Sequence, residues 1–315
     1  MQRELMQNFV LDVSYLGSQS HKLPVPWNIN QAFLGSGSVA SRRPYPGFGS
    51  ITGGFISSIG NANFDALQMR AERRFSRGLS FVGSYTWSKA IDDGDGISAA
   101  SDVGTNAQNA RNLRAERGLS AYDVTHRVVL SYVWDLPFHS QNRTANAVLS
   151  GWQLTGILTL QGGRPFSVLA GRDDSNTNGG ADRPNAIGDW HISNPGPDRW
   201  FNSCTILANG TRKFCLPGDT PAWQQVSGGF GNEGRNALRG PTLKNFDLGL
   251  HRDFRVTERF LVQFRAETFN VANHPNFNLP EFRVSQNAFG TISGTAFAFQ
   301  TGAQRQIQFA AKIVF

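Results

Sequence analysis

The last eleven residues, Arg305 to Phe315 (RQIQFAAKIVF), place an apolar side chain at every second position. Ile307, Phe309, Ala311, Ile313 and Phe315 fall on one face, and Gln306, Gln308, Ala310, Lys312 and Val314 on the other. A period of two is that of a strand, not a helix. The apolar face must be covered either by a second protein layer or by hydrocarbon. The rest of the chain has to discriminate between these.

The same alternation recurs seven more times. Strands are expected at about Gln7 to Gly17, Asn63 to Phe75, Leu79 to Ser88, Arg127 to Leu136, Trp152 to Gln161, Asn245 to Phe254 and Phe260 to Glu267. Each is close to the roughly 9 to 11 residues with which a tilted strand crosses a bilayer. Ser76, Arg77 and Gly78 read as a tight turn, and Pro137 closes the fourth strand. Between the strands the connections run long (about 18–60), short, long (about 92–122), medium (about 138–150), long (about 162–240), short (about 256–258) and medium-long (about 270–304).

Such segregation is the pattern of outer-membrane barrels, whose short periplasmic turns and longer extracellular loops alternate. A soluble sandwich gives no reason for it, and long unstructured loops are uncommon in compact soluble domains. Charge placement agrees. Lys312, Arg265, Glu267, Asp247 and Asp253 are all on polar faces, where none incurs the roughly 2 to 4 kcal/mol of a lipid-facing Lys or Arg at the bilayer midplane. Arg73, Arg252 and Arg305 fall near strand ends, where that cost vanishes, as do Tyr15, Trp87, Trp134, Phe254, Phe260 and Phe315, the positions of an aromatic girdle. The fold class expected is therefore all-β, an antiparallel transmembrane barrel wall of about eight strands with long extracellular loops, located in the outer membrane of a Gram-negative bacterium and in contact with its lipid.

Composition narrows the function. With 34 Gly, 24 Phe and 7 Trp against 17% charged residues, the chain is β-rich and turn-rich. Its net charge of +7 comes from scattered Lys and Arg with doublets only at Arg42-Arg43 and Arg73-Arg74, so no nucleic-acid partner is expected. No run of 18 apolar residues marks a transmembrane helix. Cys204 and Cys215 suit a loop disulfide or two free thiols; with no second pair to build a zinc site, the disulfide is favoured, contributing about 2 to 4 kcal/mol of local restraint.

Motifs for chemistry are weak. Gly229, Gly231 and Gly234 fit GxGxxG, but no apolar strand precedes them, so a loop is the better reading. Asp174, Asn176 and Asn178 match the first half of a calcium loop, yet its twelfth position is Asn185 and not Glu; a plain surface loop is preferred. The group Asp92, Asp93 and Asp95 reads as a solvated loop. The six histidines have no metal-ligand spacing, and no nucleophile elbow, P-loop or carboxylate pair appears, so neither an enzyme nor a cofactor is expected. Arg127, Asp135, Asp247, Asp253, Arg265 and Glu267 belong to the polar faces and are expected to face the lumen, either pairing across neighbouring strands or contacting a plug or substrate.

Several stretches carry a family resemblance: SYTWSKAID (84–92), ERGLSAYDVTHRVVLSYVWDLPF (116–138), GWQLTGILTLQGGRPFSV (151–168), GRNALRGPTLKNFDLGLHRDF (234–254) and FRAETFNVANHPNF (264–277). Together they resemble the C-terminal barrel portion of TonB-dependent outer-membrane receptors of the Oar-like type, which carry a carboxypeptidase-regulatory-like domain. The resemblance implies a barrel of about 22 strands, a plug moved by TonB, and energised uptake of a small ligand of unknown identity. It also implies that Phe309, Ile313 and Phe315 form the signal read by the barrel-assembly machinery. Lacking a signal peptide, TonB box or plug, residues 1–315 are expected to be the C-terminal part of such a barrel. Two alternatives of other classes stay open: a self-contained eight-stranded structural or adhesion barrel, and a secreted glycan-binding β-sandwich.

Overall fold

The computed structural model describes residues 2–6, 8–51, 55–94, 107–296 and 304–315. In chain order the elements are β1 (Gln2–Met6), β2 (Phe9–Pro26), β3 (Ile56–Ser76), β4 (Leu79–Asp92), β5 (Gly118–Leu119), β6 (His126–Asp135), α1 (Arg143–Leu149), β7 (Trp152–Gln161), β8 (Pro165–Phe166), β9 (Asn185–Ala186), β10 (Thr205–Ile206), β11 (Arg212–Lys213), β12 (Trp223–Gln224), β13 (Leu238–Arg239), β14 (Leu243–Arg255), β15 (Leu261–Phe269) and β16 (Gln306–Val314). Nine of them form one antiparallel wall in the order β1-β2-β3-β4-β6-β7-β14-β15-β16, and β5 pairs only with the end of β4. β1 and β16 are the wall's two edges, so the sheet is an open arc.

All eight expected strands are present, but β1, paired antiparallel with β2, adds a ninth. Two strands also run far beyond their expected limits. β2 continues to Pro26 and β3 begins at Ile56, so much of the stretch expected to be irregular is paired backbone. That arm projects past the length a bilayer needs, and there an apolar alternation serves no purpose. Its register shifts around Leu23, next to Lys22 at φ +56°. At the other end β3 and β4 are joined by Arg77 and Gly78, both at positive φ, the pairing that a two-residue hairpin with native twist demands.

Register decides the faces. Leu154 stands opposite Trp134 and Leu250, Leu158 opposite Leu130 and Phe246, and Phe264 opposite Ala311 and Arg252. The alternate row holds Arg127 with Gln161, Asp135 with Gln153, and His251 with Arg265. One side of the wall is thus an aliphatic and aromatic sheet that, away from α1, the described residues leave open: Phe309 and Ile313 remain 73% and 62% exposed. An uncovered apolar face this wide requires hydrocarbon.

The buried core lies elsewhere, in a cap made by the long connections. Phe166, Phe201, Trp223, Leu238, Phe282 and Phe289 pack there, with Phe201 and Phe289 rings 5.1 Å apart. The stretch 162–240, expected to be irregular, carries a small sheet in the order β11-β10-β12-β9 and the pair β8-β13. Cys204 and Cys215 are joined by a disulfide that flanks the β10–β11 hairpin. The medium connection between β6 and β7 holds α1, whose first amides are capped by the Asn142 side chain.

Candidate functional site

Four connections meet in the cap, and buried polar side chains fasten them. Gln31, fully buried, donates from Nε2 to the Gln108 carbonyl and to Thr177 Oγ1 (both 2.9 Å) and accepts from the Ala110 amide, so one side chain joins three loops. Arg235 donates to both the carbonyl and the carboxylate of Asp92 and, from Nε, to the Glu116 carbonyl (2.6 Å). Arg239 pairs with the buried carboxylate of Asp123 and reaches the Gly163 carbonyl at 3.1 Å. Asn236 Nδ2 donates to the Leu119 carbonyl. Asp92, Glu116, Asp123, Arg235 and Arg239, from the 84–92, 116–138 and 234–254 motifs, are therefore fastenings that hold the cap onto the end of the wall.

Glycine makes room for this docking. A Cβ on Gly163 would lie 1.8 Å from the Gly240 carbonyl oxygen, and one on Gly231 would lie 2.1 Å from that of Arg183. Gly163 lets the chain between β7 and β8 run against the Gly240 backbone just after β13, and its neighbour Arg164 lines a recess.

That recess, about 570 Å³, opens on the polar face of the wall under the cap. Arg127, Gln161, Arg164, Asn245, Asn276 and Leu279 contribute to its lining. Asn276 is only 1% exposed; its Oδ1 accepts from the Lys244 amide, while its Nδ2 has no partner. Asn245 Oδ1 is likewise buried without a partner. No carboxylate lines the recess, and neither guanidinium makes an ion pair among the described residues. A second recess of the same size lies beside Asn61, Asn63, Asp93 and Arg117 on the outer side. Its polar groups satisfy one another, Arg117 holding Asp93 at 3.1 Å and Asn63 at 2.7 Å. Buried polar groups left unsatisfied call for a partner, so the inner recess is the stronger candidate.

Register puts the six charged residues Arg127, Asp135, Asp247, Asp253, Arg265 and Glu267 on one face. Only Arg127 lines the recess under the cap. The others run down the wall, where the side-chain bonds among the described residues go to neutral amides: Gln153 donates to Asp135 (2.9 Å), Asn245 to Asp247 (3.0 Å), Gln308 to Glu267 (2.6 Å), and Arg265 to Gln263 (2.7 Å). Arg164 and Asn276 were not distinguished by sequence. Arg164 had a signal in the Gly162-Gly163 pair before it, whereas Asn276 is one of several Asn in a loop.

The residues of the half calcium loop do not converge. Asp174 Oδ1 is held by Arg172 (2.6 Å) and Gln225 (2.9 Å), while Asn176 turns its amide nitrogen to the carbonyls of Gly35 and Gly37. Burial raises the Asp174 carboxyl above its ordinary range, against the opposing pull of Arg172. No group of three or more His, Cys, Asp or Glu suited to a metal occurs among the described residues. Asp92 and Asp93 are paired with Arg235 and Arg117; Asp95 lies outside the described residues. Phe309, Ile313 and Phe315 are exposed on or just beyond the edge strand β16.

Comparison with known proteins agrees with the barrel wall. Residues 1–308 match the family described as "Outer membrane beta barrel domain". No curated protein matches the chain. Among solved structures, the whole chain aligns with the outer membrane transporter YddB from Escherichia coli at 10% identity (TM-score 0.47, 31% of that chain). It also aligns with BauA, the ferric preacinetobactin receptor from Acinetobacter baumannii, at 11% (0.42, 28%), and with the ferric-catecholate import receptor Fiu from K12 E. coli at 13% (0.39, 34%). The chain spans about a third of the length of these proteins.

Proposed function

Since the chain belongs to the outer membrane beta barrel domain family, and its place is the outer membrane rather than among enzymes, we propose that residues 1–315 are the C-terminal part of a TonB-dependent receptor barrel of the Oar-like type. In this reading the cap and the recess beneath it take part in capturing a small ligand at the cell surface. Energised uptake runs through a plug and TonB supplied by the complete protein, and the barrel-assembly machinery recognises Phe309, Ile313 and Phe315.

The observation that carries the reading is the welded cap over an unsatisfied recess. Loops of a purely structural barrel have no need of buried fastenings, whereas a binding site gains from being held in shape before its ligand arrives. Arg127, Arg164 and the free Asn276 amide offer donors to an oxygen-rich ligand, and the polar face gives the lumenal groups a role in passage or in contact with the plug. Three of the five family-like motifs (84–92, 116–138 and 234–254) support the finer assignment, because their charges build the fastenings.

Two forms test it: the protein expressed from its complete coding sequence, and residues 1–315 alone. The complete protein is expected to cross-link to TonB in intact cells and to show heat-modifiable migration. Residues 1–315 alone are expected to show neither. Heat-modifiable migration by residues 1–315 alone would replace the reading with a self-contained structural or adhesion barrel.

A further inference from the structure

The short side of the wall carries one element that a barrel turn does not require, the helix α1. Its position follows from Arg252. This residue sits directly opposite Trp152 and Phe264 on the apolar face, where a bare guanidinium is unfavourable. It is only 7% exposed, and it lies over the rings of Phe254 (4.3 Å) and Trp152 (5.3 Å). Both terminal nitrogens donate to α1, Nη1 to the Val148 carbonyl and Nη2 to that of Ala147. A helix end bonded to an outward-facing Arg lies on the lipid side of the wall, not in the lumen.

The helix end is also prepared for a dry setting. The last four carbonyls of a helix have no partner within it and ordinarily take water. Here three of the four are satisfied: Asn146 is bonded by the Ser150 amide (3.0 Å) and hydroxyl (2.6 Å), Ala147 by Arg252, and Val148 by Arg252 and Trp152 Nε1 (2.9 Å). Satisfying these groups within the protein is the condition for leaving water. At the end of the helix the side chains offered outward are apolar, Val148 being 60% and Leu149 51% exposed, as is Phe138 at the start of the connection (52%), while the exposed polar residues Arg143 and Thr144 are confined to its first turn. They continue the hydrocarbon-facing surface of Trp134, Trp152 and Leu154.

We propose that α1 is an interfacial anchor: it lies in the periplasmic-side leaflet of the outer membrane, with Val148 and Leu149 against phospholipid, and Arg252 and Trp152 clamp it to the wall. The positive charge of Arg252 stays at headgroup level, where its cost is small, and the helix gives the wall a fixed depth in the bilayer.

Photo-cross-linking decides it. A benzophenone side chain is introduced at Val148 or Leu149 in the protein expressed from its complete coding sequence, then reconstituted in phosphatidylethanolamine/phosphatidylglycerol vesicles. Lipid adducts comparable to those from a label at Leu154 are expected, and none from a label at Gln153. Adducts only to protein, or no adducts at both 148 and 149 while 154 still labels, would overturn the anchor. With the label at 148, Arg252→Gln is expected to abolish lipid labelling while a label at 154 is unaffected; unchanged labelling at 148 would remove Arg252 from the clamp. Heat-modifiable migration of the variant checks its fold, and the labels in the protein with Arg252 intact decide the anchor if the variant does not fold.

Discussion

Arg183 grips Glu116 with both arms of its guanidinium: Nη1 lies 2.7 Å from Oε2 and Nη2 lies 3.2 Å from Oε1. The two are 67 residues apart, and their side chains are 4% and 3% exposed. Arg183 Nε also donates to the Glu233 carbonyl, and Glu116 accepts from the Gln108 amide, so the pair ties three stretches of chain into one node.

Removing one member leaves the other charged and dry. Glu116→Ala is expected to cost about 3 to 5 kcal/mol of cap stability, whereas the double change Glu116→Leu with Arg183→Met recovers most of it. Limited proteolysis of the cap reads the difference. Heat-modifiable migration of the wall should be unchanged, because the pair touches none of its membrane-crossing residues.

Gly163 is a packing requirement rather than a flexible joint. Gly163→Ala puts a methyl group against the Gly240 carbonyl and must push β8 from β13. The expected loss is about 1 to 3 kcal/mol. It should appear as faster cleavage near Arg164 and Arg239, while Gly151→Ala, in open space but at φ +75°, affects only the turn before β7.

The cap should weaken as pH rises. Burial pushes the Glu233 carboxyl up to about 7 and that of Asp182 up to about 6, against the lowering pull of Arg183 on the first and of Ser175 on the second. The folded cap therefore holds protons that the unfolded chain has already released above about pH 4. Stability from these groups is intact below that and declines through about pH 6 and then 7, levelling off above. Thermal unfolding of the cap from about pH 5 to about pH 8 should show the slope, and Glu233→Gln should flatten its upper part.

The disulfide closes a separation of 11 residues around the β10–β11 hairpin. Replacing both Cys204 and Cys215 by Ser is expected to cost about 2 to 4 kcal/mol locally. Hydrogen exchange of Thr205 to Lys213 should accelerate, while that of β14 should not. Equal acceleration in both would mean that cap and wall unfold as one unit.

The wall was legible because lipid and lumen impose a strict period of two, which Leu154, Leu158 and Leu160 or Val262, Phe264 and Ala266 display without help from distant residues. The cap has no such period. Its core rings, Phe166, Phe201, Trp223 and Phe289, come from separated turns, and the partners Glu116 and Arg183 are linked by no local pattern. Three of the five motifs hold Asp92, Glu116, Asp123, Arg235 and Arg239 without revealing that they join one another. α1 escaped because seven residues are too few to show a helical period, although Asn142 before Thr144 and Ala145 is a capping signal. β1 was missed for a similar reason: QRELM is short, and only its pairing with Val10, Leu11 and Asp12 makes it a strand.

Adjacent residues on β7 provide the sharpest test of which face meets hydrocarbon. Leu158 pairs with Leu130 and Phe246 on the apolar side, while Ile157 pairs with Ser131 and Asp247 on the polar side, although both are aliphatic. Hydrophobicity alone predicts that an arginine at either position is equally harmful. Register predicts otherwise. Leu158→Arg, facing lipid well inside the span, is expected to cost up to about 2 to 4 kcal/mol, whereas Ile157→Arg gains Asp247 as a cross-strand neighbour and should lie within about 1 kcal/mol of neutral. The yield of heat-modifiable protein assembled in the membrane, measured side by side, should fall for the first and hold for the second. The reverse order would put hydrocarbon on the side of Arg127 and Asp247 and invert the wall.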